Sequence, residues 1–183
     1  FAPDRDKPVS GCMVPHEVFS SCAGAAIYRK SVFDEIGLFD ESFFAYLEDM
    51  DIGYRARLAG YRNLYNPYAK VYHLGSASSG SRHNAFKVEL SARNSMWMLR
   101  KNMPVWQLIL NIPFIAAGIV IKTVYFAKKG LVTAYLKGII KGLSGKLRNT
   151  SKNAGEKHKD TGFAAYLGLQ MWLFRGMIKR VKK

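Results

Sequence analysis

Ala45-Tyr46-Leu47-Glu48-Asp49-Met50-Asp51-Ile52-Gly53-Tyr54-Arg55-Ala56-Arg57-Leu58-Ala59-Gly60 is the stretch on which the fold turns. Leu47, Met50, Tyr54 and Leu58 fall on one helical face, Arg55, Arg57 and Arg62 fall elsewhere, and Gly60 sits where a C′ glycine ends a helix. Three carboxylates, Glu48, Asp49 and Asp51, crowd the first turn. They have two readings. One is complementarity to the helix dipole, worth up to about 1 kcal/mol. The other is that one carboxylate, held ionised by the helix N-terminus, works as a general base or helps to hold a cationic partner.

Upstream, Asp40 to Tyr46 reads as an aromatic loop, whose rings either belong to the core or offer stacking platforms of the kind sugars use. Before it, Ser31-Val32-Phe33-Asp34 has capping-box spacing, Gly37 supplies the stop, and Ala25-Ala26-Ile27-Tyr28 reads as a short buried strand. Phe1 to Pro15, with three prolines, reads as connecting chain.

Downstream, Leu64 to Tyr72 reads as a strand that delivers His73 to its end. His73 is either a structural histidine or a ligand for a metal, a phosphate or a hydroxyl. The small-residue stretch Gly75 to Ser81 reads as a flap and lacks the Gly-Lys-Ser ending of a P-loop. Phe86 to Lys101 reads as a helix with Leu90, Arg93, Asn94 and Trp97 at helical spacing, and Pro104 breaks it. Arg93 is placed either to reach an anionic group or to pair locally.

The second half is different in kind. Residues 1–102 carry 13 basic and 11 acidic side chains, a net of +2, whereas residues 103–183 carry 15 basic and 2 acidic, a net of +13. A nearly neutral first half reads as a site-bearing region, and a basic, apolar second half as one that meets an anionic surface. Met103 to Ile121 is 19 uncharged residues, interrupted by Gln107, Asn111 and Pro113. That is about the minimum for a bilayer span. From 131 to 148, Leu136, Ile139, Ile140, Leu143 and Leu147 form a stripe flanked by Lys137, Lys141, Lys146 and Arg148, the pattern of an interfacial helix whose lysines snorkel. Gly138, Gly142 and Gly145 are expected to weaken that helix. A polar linker, Asn149 to Thr161, precedes an apolar run from Phe163 to Ile178.

The 183 residues, 49% of them hydrophobic, suffice for a real core. Cys12 and Cys22 show neither disulfide-framework nor zinc spacing and read as free thiols in a reducing compartment. The chain begins without an initiator Met or an apolar signal segment, so an upstream domain is expected. Nucleic-acid binding is disfavoured, because the basic residues alternate with long apolar runs. A non-enzymatic module that binds a membrane surface stands as the alternative to an enzyme.

Taken together, Gly24 to Arg29, Ile36 to Glu41, Phe43 to Asp51, Arg55 to Arg62, Pro67 to His73 and Arg93-Asn94 resemble the family 2 inverting glycosyltransferases, closest to rhamnosyltransferase-like bacterial members. The resemblance covers roughly residues 20 to 104. It implies an α/β fold, the C-terminal portion of a GT-A domain over residues 1–102, followed by basic, membrane-associating helices over 103–183. In that family the Asp of a Glu-Asp motif deprotonates the acceptor hydroxyl, a position held here by Asp49, with Glu48 in support and Asp51 fixing the helix start. Gly24 and Ala25 would lie by the acceptor pocket, Arg93 would help bind substrate, and His73 would lie near the metal-diphosphate. The resemblance also implies a nucleotide-sugar donor, a glycan or lipid-linked acceptor, a divalent Mg or Mn ion and a place at the cytoplasmic face of the cell membrane. The family's first βαβ units, and the metal-binding D-x-D that goes with them, are expected upstream of this sequence, so the chain by itself is expected to be catalytically incomplete.

Overall fold

The computed structural model describes residues 14–71, 84–145 and 162–181. His73, the Gly75–Ser81 flap, Cys12 and the 149–161 linker lie outside them. Among the described residues the chain forms six α-helices, two short 3-10 turns and one antiparallel strand pair, so the expected α/β alternation is reduced here to a two-stranded ribbon.

The ribbon joins β1 (His16–Val18) to β2 (Asn63–Tyr65), with Glu17 opposite Leu64. The strand expected from Leu64 to Tyr72 is therefore three residues long and starts one residue earlier. The Asn66 side chain accepts from the Tyr68 amide, and Pro67, which has no N–H, leaves the ladder there. The strand expected at Ala25 to Tyr28 does not form either: Ala23–Ala25 is a 3-10 turn and Ile27 is 100% exposed. Its short apolar run has no neighbouring strand to pair with among the described residues.

Helix α1 (Lys30–Ile36) begins at Arg29 without a side-chain cap, so Ser31 lies inside the first turn instead of capping it. Gly37 ends it at φ 79°, donating its N–H to the Phe33 carbonyl. Helix α2 (Glu48–Leu58) ends as expected. Gly60, at φ 87°, donates to the Arg57 carbonyl and Tyr61 to that of Ala56, the paired bonds of a Schellman motif. This helix is not half-exposed, however: residues 51 to 56 are all buried, and Arg55 is wholly enclosed.

Helix α3 (Ala85–Asn102) is capped by Asn84, whose side chain accepts from the Lys87 amide. After Pro104, helix α4 (Val105–Ala127) runs through Pro113, followed by α5 (Val132–Ser144) and α6 (Phe163–Val181). Two of the glycines, Gly138 and Gly142, form the contact of α5 with α3, a role beyond the weakening expected of them. A Cβ at Gly142 would stand 2.6 Å from the Arg93 carbonyl oxygen, and one at Gly138 would come within 2.7 Å of the Ala92 Cβ and overlap the Glu89 carbonyl. The lysines beside them are not all snorkelling, since Lys141 and Lys137 both pair with Glu89. Val88, Ala92 and Met96 of α3 thereby close a core with Tyr135 and Ile139 of α5.

A chain of buried amides links α2 to the later helices. The Tyr54 hydroxyl donates to Gln107 Oε1 at 2.7 Å, while Gln107 Nε2 and Asn111 Nδ2 each donate to Gln170 Oε1 at 2.9 Å. The polar residues that interrupt the apolar run of α4 are thus the ones that dock it.

Gly138→Leu is expected to force α5 off α3 and cost about 1–3 kcal/mol in denaturant unfolding, as overpacked cores do. Gly118→Ala, with nothing within 4 Å of its added Cβ, is expected to be neutral or slightly stabilising. Equal behaviour of the two variants would refute the close contact.

Candidate active site

The first turn of α2 is presented by an unusual loop. Asp40 opens it, its Oδ1 accepting from the Ser42 amide at 3.0 Å and the Ser42 hydroxyl at 2.6 Å. Phe43 is driven fully into the core, and then Phe44, Tyr46 and Leu47 all take positive φ, at 61°, 67° and 70°. Non-glycine residues in that region cost on the order of 1–3 kcal/mol each and persist only where the surroundings hold them.

Two adjacent residues of α3 do the holding. Asn94, wholly buried, places its amide nitrogen 2.9 Å from the Phe43 carbonyl and 2.8 Å from those of Ala45 and Tyr46. Arg93 donates to the Ser42 and Phe43 carbonyls at 3.2 Å and lies over the Trp97 ring at 4.3 Å. Its burial draws the guanidinium below its ordinary range, opposed by the nearby Glu89 charge.

Beneath the loop lies a buried charge cluster. Asp51 pairs with Arg55 at 2.9 Å, accepts from Lys101 at 3.0 Å and from Asn102 at 2.8 Å. Lys101 also reaches Asp40 at 2.7 Å. Arg55 spends its remaining donors on the carbonyls of Ile36, Gly37 and Leu38, groups that the end of α1 leaves without helical partners.

Glu48 and Asp49 stand above this base. Asp49 Oδ1 accepts from the Met50 amide at 2.8 Å, Oδ2 faces the Ala23 amide at 3.4 Å, and the Asp49 carbonyl accepts from Ser20 Oγ at 2.7 Å. The turn holding Gly24 and Ala25 is thereby set against Asp49, and both residues are exposed. One Glu48 oxygen, Oε2, and the Tyr28 hydroxyl are buried without a hydrogen-bond partner among the described residues. The Tyr28 ring is fixed by Phe33 at 5.2 Å and Phe39 at 6.0 Å. Burial pushes its phenol up, and the charges of Asp49, Cys22 and Glu48 add to the shift.

Of the residues singled out in the sequence, Asp49, Glu48, Gly24 and Ala25 come together at one end of α2. Asp51 lies in the buried cluster and Arg93 behind the loop, each occupied by protein partners. Tyr28, Ser20, Lys101 and Asn102 were not singled out. A signal existed for Asn94 and Asn102, since polar residues on the core side of a helix need internal partners. None exists for Tyr28, whose place depends on the fold.

The model of a family described as glycosyl transferase family group 2 matches residues 8–169. N-acetylglucosaminyl-diphospho-decaprenol L-rhamnosyltransferase from two strains of Mycobacterium tuberculosis is 35% identical over 79 residues, 39% of this chain and 26% of that protein. The uncharacterized protein y4gI of Sinorhizobium fredii is 31% identical over 80 residues, 43% of this chain and 9% of that one. The matched region thus spans about a quarter or less of the length of these curated relatives. No solved structure matches the chain.

Asn94→Ala would remove the amide that the Ala45 and Tyr46 carbonyls share and leave the Phe43 carbonyl to Arg93 alone, and is expected to cost about 2–4 kcal/mol by chemical denaturation. Ser95→Ala, which removes only a bond to the Ser91 carbonyl, should stay within about 0.5 kcal/mol. A similar small effect for both would show that the loop holds itself.

Proposed function

The chain belongs to glycosyl transferase family group 2, and we propose that it forms the acceptor side of an inverting, GT-A-type sugar transferase with Asp49 as general base. The observation that carries this reading is the setting of Asp49. Its carboxylate stands on a helix start that α3 holds rigid, beside the exposed Gly24-Ala25 turn. Rigidity matters because a base acts only within hydrogen-bond reach of the proton it takes.

In the proposed reaction an acceptor hydroxyl oxygen attacks the anomeric carbon of the donor sugar. Asp49 accepts the hydroxyl proton as the new C–O bond forms and the bond to the nucleoside diphosphate breaks. Glu48 and the Tyr28 hydroxyl, with unspent polar atoms nearby, would orient the acceptor's other hydroxyls. Asp51 and Arg93 contribute by fixing the helix start and the loop.

A divalent Mg or Mn ion, where bound, would stabilise the departing diphosphate. Among the described residues no group of three or more His, Cys, Asp or Glu side chains converges to hold one, so its ligands are assigned elsewhere, with His73 a candidate contributor. Donor contacts are likewise assigned mainly outside this chain. The relatives named as rhamnosyltransferases act on a decaprenol-linked N-acetylglucosamine, which makes a lipid-linked or glycan acceptor in cell-surface polysaccharide synthesis the preferred class. The basic second half would hold the enzyme to an anionic membrane surface at the cytoplasmic face, each surface lysine adding about 1 kcal/mol.

Asp49→Asn in the full-length protein is expected to lower turnover by about 10²–10⁴-fold while leaving donor binding nearly intact, because the base acts on the acceptor. The check is transfer of label from a panel of nucleotide sugars to membrane-extracted acceptor, beside donor binding by calorimetry. Unchanged turnover excludes the role of Asp49.

A further inference from the structure

Helix α4 meets the length requirement of a bilayer span. Its 23 residues measure about 34 Å, against about 30 Å of hydrocarbon. In an 18-residue apolar window only 6% is buried, so it is not a core helix. A spanning helix, however, must put its ends on opposite sides of the membrane. Both ends of α4 are tied to the same body.

At its start, Gln107 accepts from Tyr54 of α2. At its far end, Ile119 and Phe126 pack on the core that Val88, Ala92 and Met96 of α3 share with α5, and the Phe126 and Tyr135 rings lie 5.2 Å apart. The less exposed positions Gln107, Asn111, Ile115, Ile119, Thr123 and Phe126 recur at helical spacing along the full length. One face of α4 therefore follows the protein from end to end. The opposite face leaves Ile109, Ile112, Val120 and Val124 exposed, and α5 adds exposed Leu136, Ile140 and Leu143.

We propose that α4 and α5 lie flat on an anionic bilayer, apolar faces immersed and both ends of α4 on one side. The inference rests on the membrane-associated reading above and adds the mode of contact. Upright insertion of α4 would carry α3 and α5 into hydrocarbon, with Arg93, Glu89, Lys137 and Lys141 on them, and ionised groups at that depth are strongly disfavoured. The occupant is set by charge. The half of the chain that bears this face carries +13, and Lys122, Lys128 and Lys129 are exposed around it. That suits anionic headgroups over a neutral protein partner.

The test uses the full-length protein in a cysteine-free background, added to preformed vesicles of phosphatidylcholine and phosphatidylglycerol. Val105→Cys and Lys129→Cys mark the two ends of α4, with Lys128→Cys as a second reporter of the far end. An impermeant maleimide is expected to label all three without any gain when the vesicles are permeabilised. Labelling of Lys129→Cys and Lys128→Cys only after permeabilisation means that α4 crosses, and overturns the proposal while keeping membrane association. No flotation with anionic vesicles removes membrane association itself, and leaves sugar transfer to be judged by Asp49→Asn. A stable dimer in solution without flotation assigns the face to a second copy and also overturns the proposal.

Discussion

The carboxylate of Asp51 is the point from which the rest of the first half is hung. It is fully buried, and it meets Arg55 from its own helix and Lys101 and Asn102 from α3. Burying a charge is costly unless it is paired and fully hydrogen-bonded, and here each partner has a second attachment. Arg55 reaches the end of α1 and Lys101 reaches Asp40 at the root of the loop. One carboxylate thereby ties together three helices, α1, α2 and α3, and the loop before α2, so the start of α2 has little freedom to shift.

Above that anchor α3 has a double duty. On one side Asn94 and Arg93 hold the loop; on another its Glu89 and Arg93 carbonyls lie against the α5 glycines. Arg93 thus touches the site through its guanidinium and α5 through its backbone. The candidate chemistry and the apolar face proposed to meet lipid are consequently both braced by one helix, with no hinge between them among the described residues.

What the sequence makes legible here is local. The helix from Glu48 with its Gly60 stop, the helix ending before Pro104 and the grouping of Glu48 and Asp49 follow from caps, periodicity and residue chemistry acting over a few positions. The strand expected at Ala25 to Tyr28 fails because a strand needs a partner, and apolarity does not supply one. That Asn94 needs an internal partner is legible from its place on the helix, but which groups it and Arg93 hold is not, since those carbonyls lie about 50 residues away. The glycines of α5 mislead for a related reason. Helix propensity scores them against an isolated helix, whereas their lack of a Cβ matters only once α3 lies against them.

The run of positive φ at Phe44, Tyr46 and Leu47 has a consequence for anyone who would make this protein more robust. Glycine at such positions relieves backbone strain of the order of 1–2 kcal/mol, against an entropic loss of about 0.5–1 kcal/mol. A screen that rewards heat resistance alone would therefore drift toward glycine in this loop. Its winners would trade bulky side chains and a single loop shape for a looser ensemble, and durability would rise as the placing of the first turn of α2 blurred.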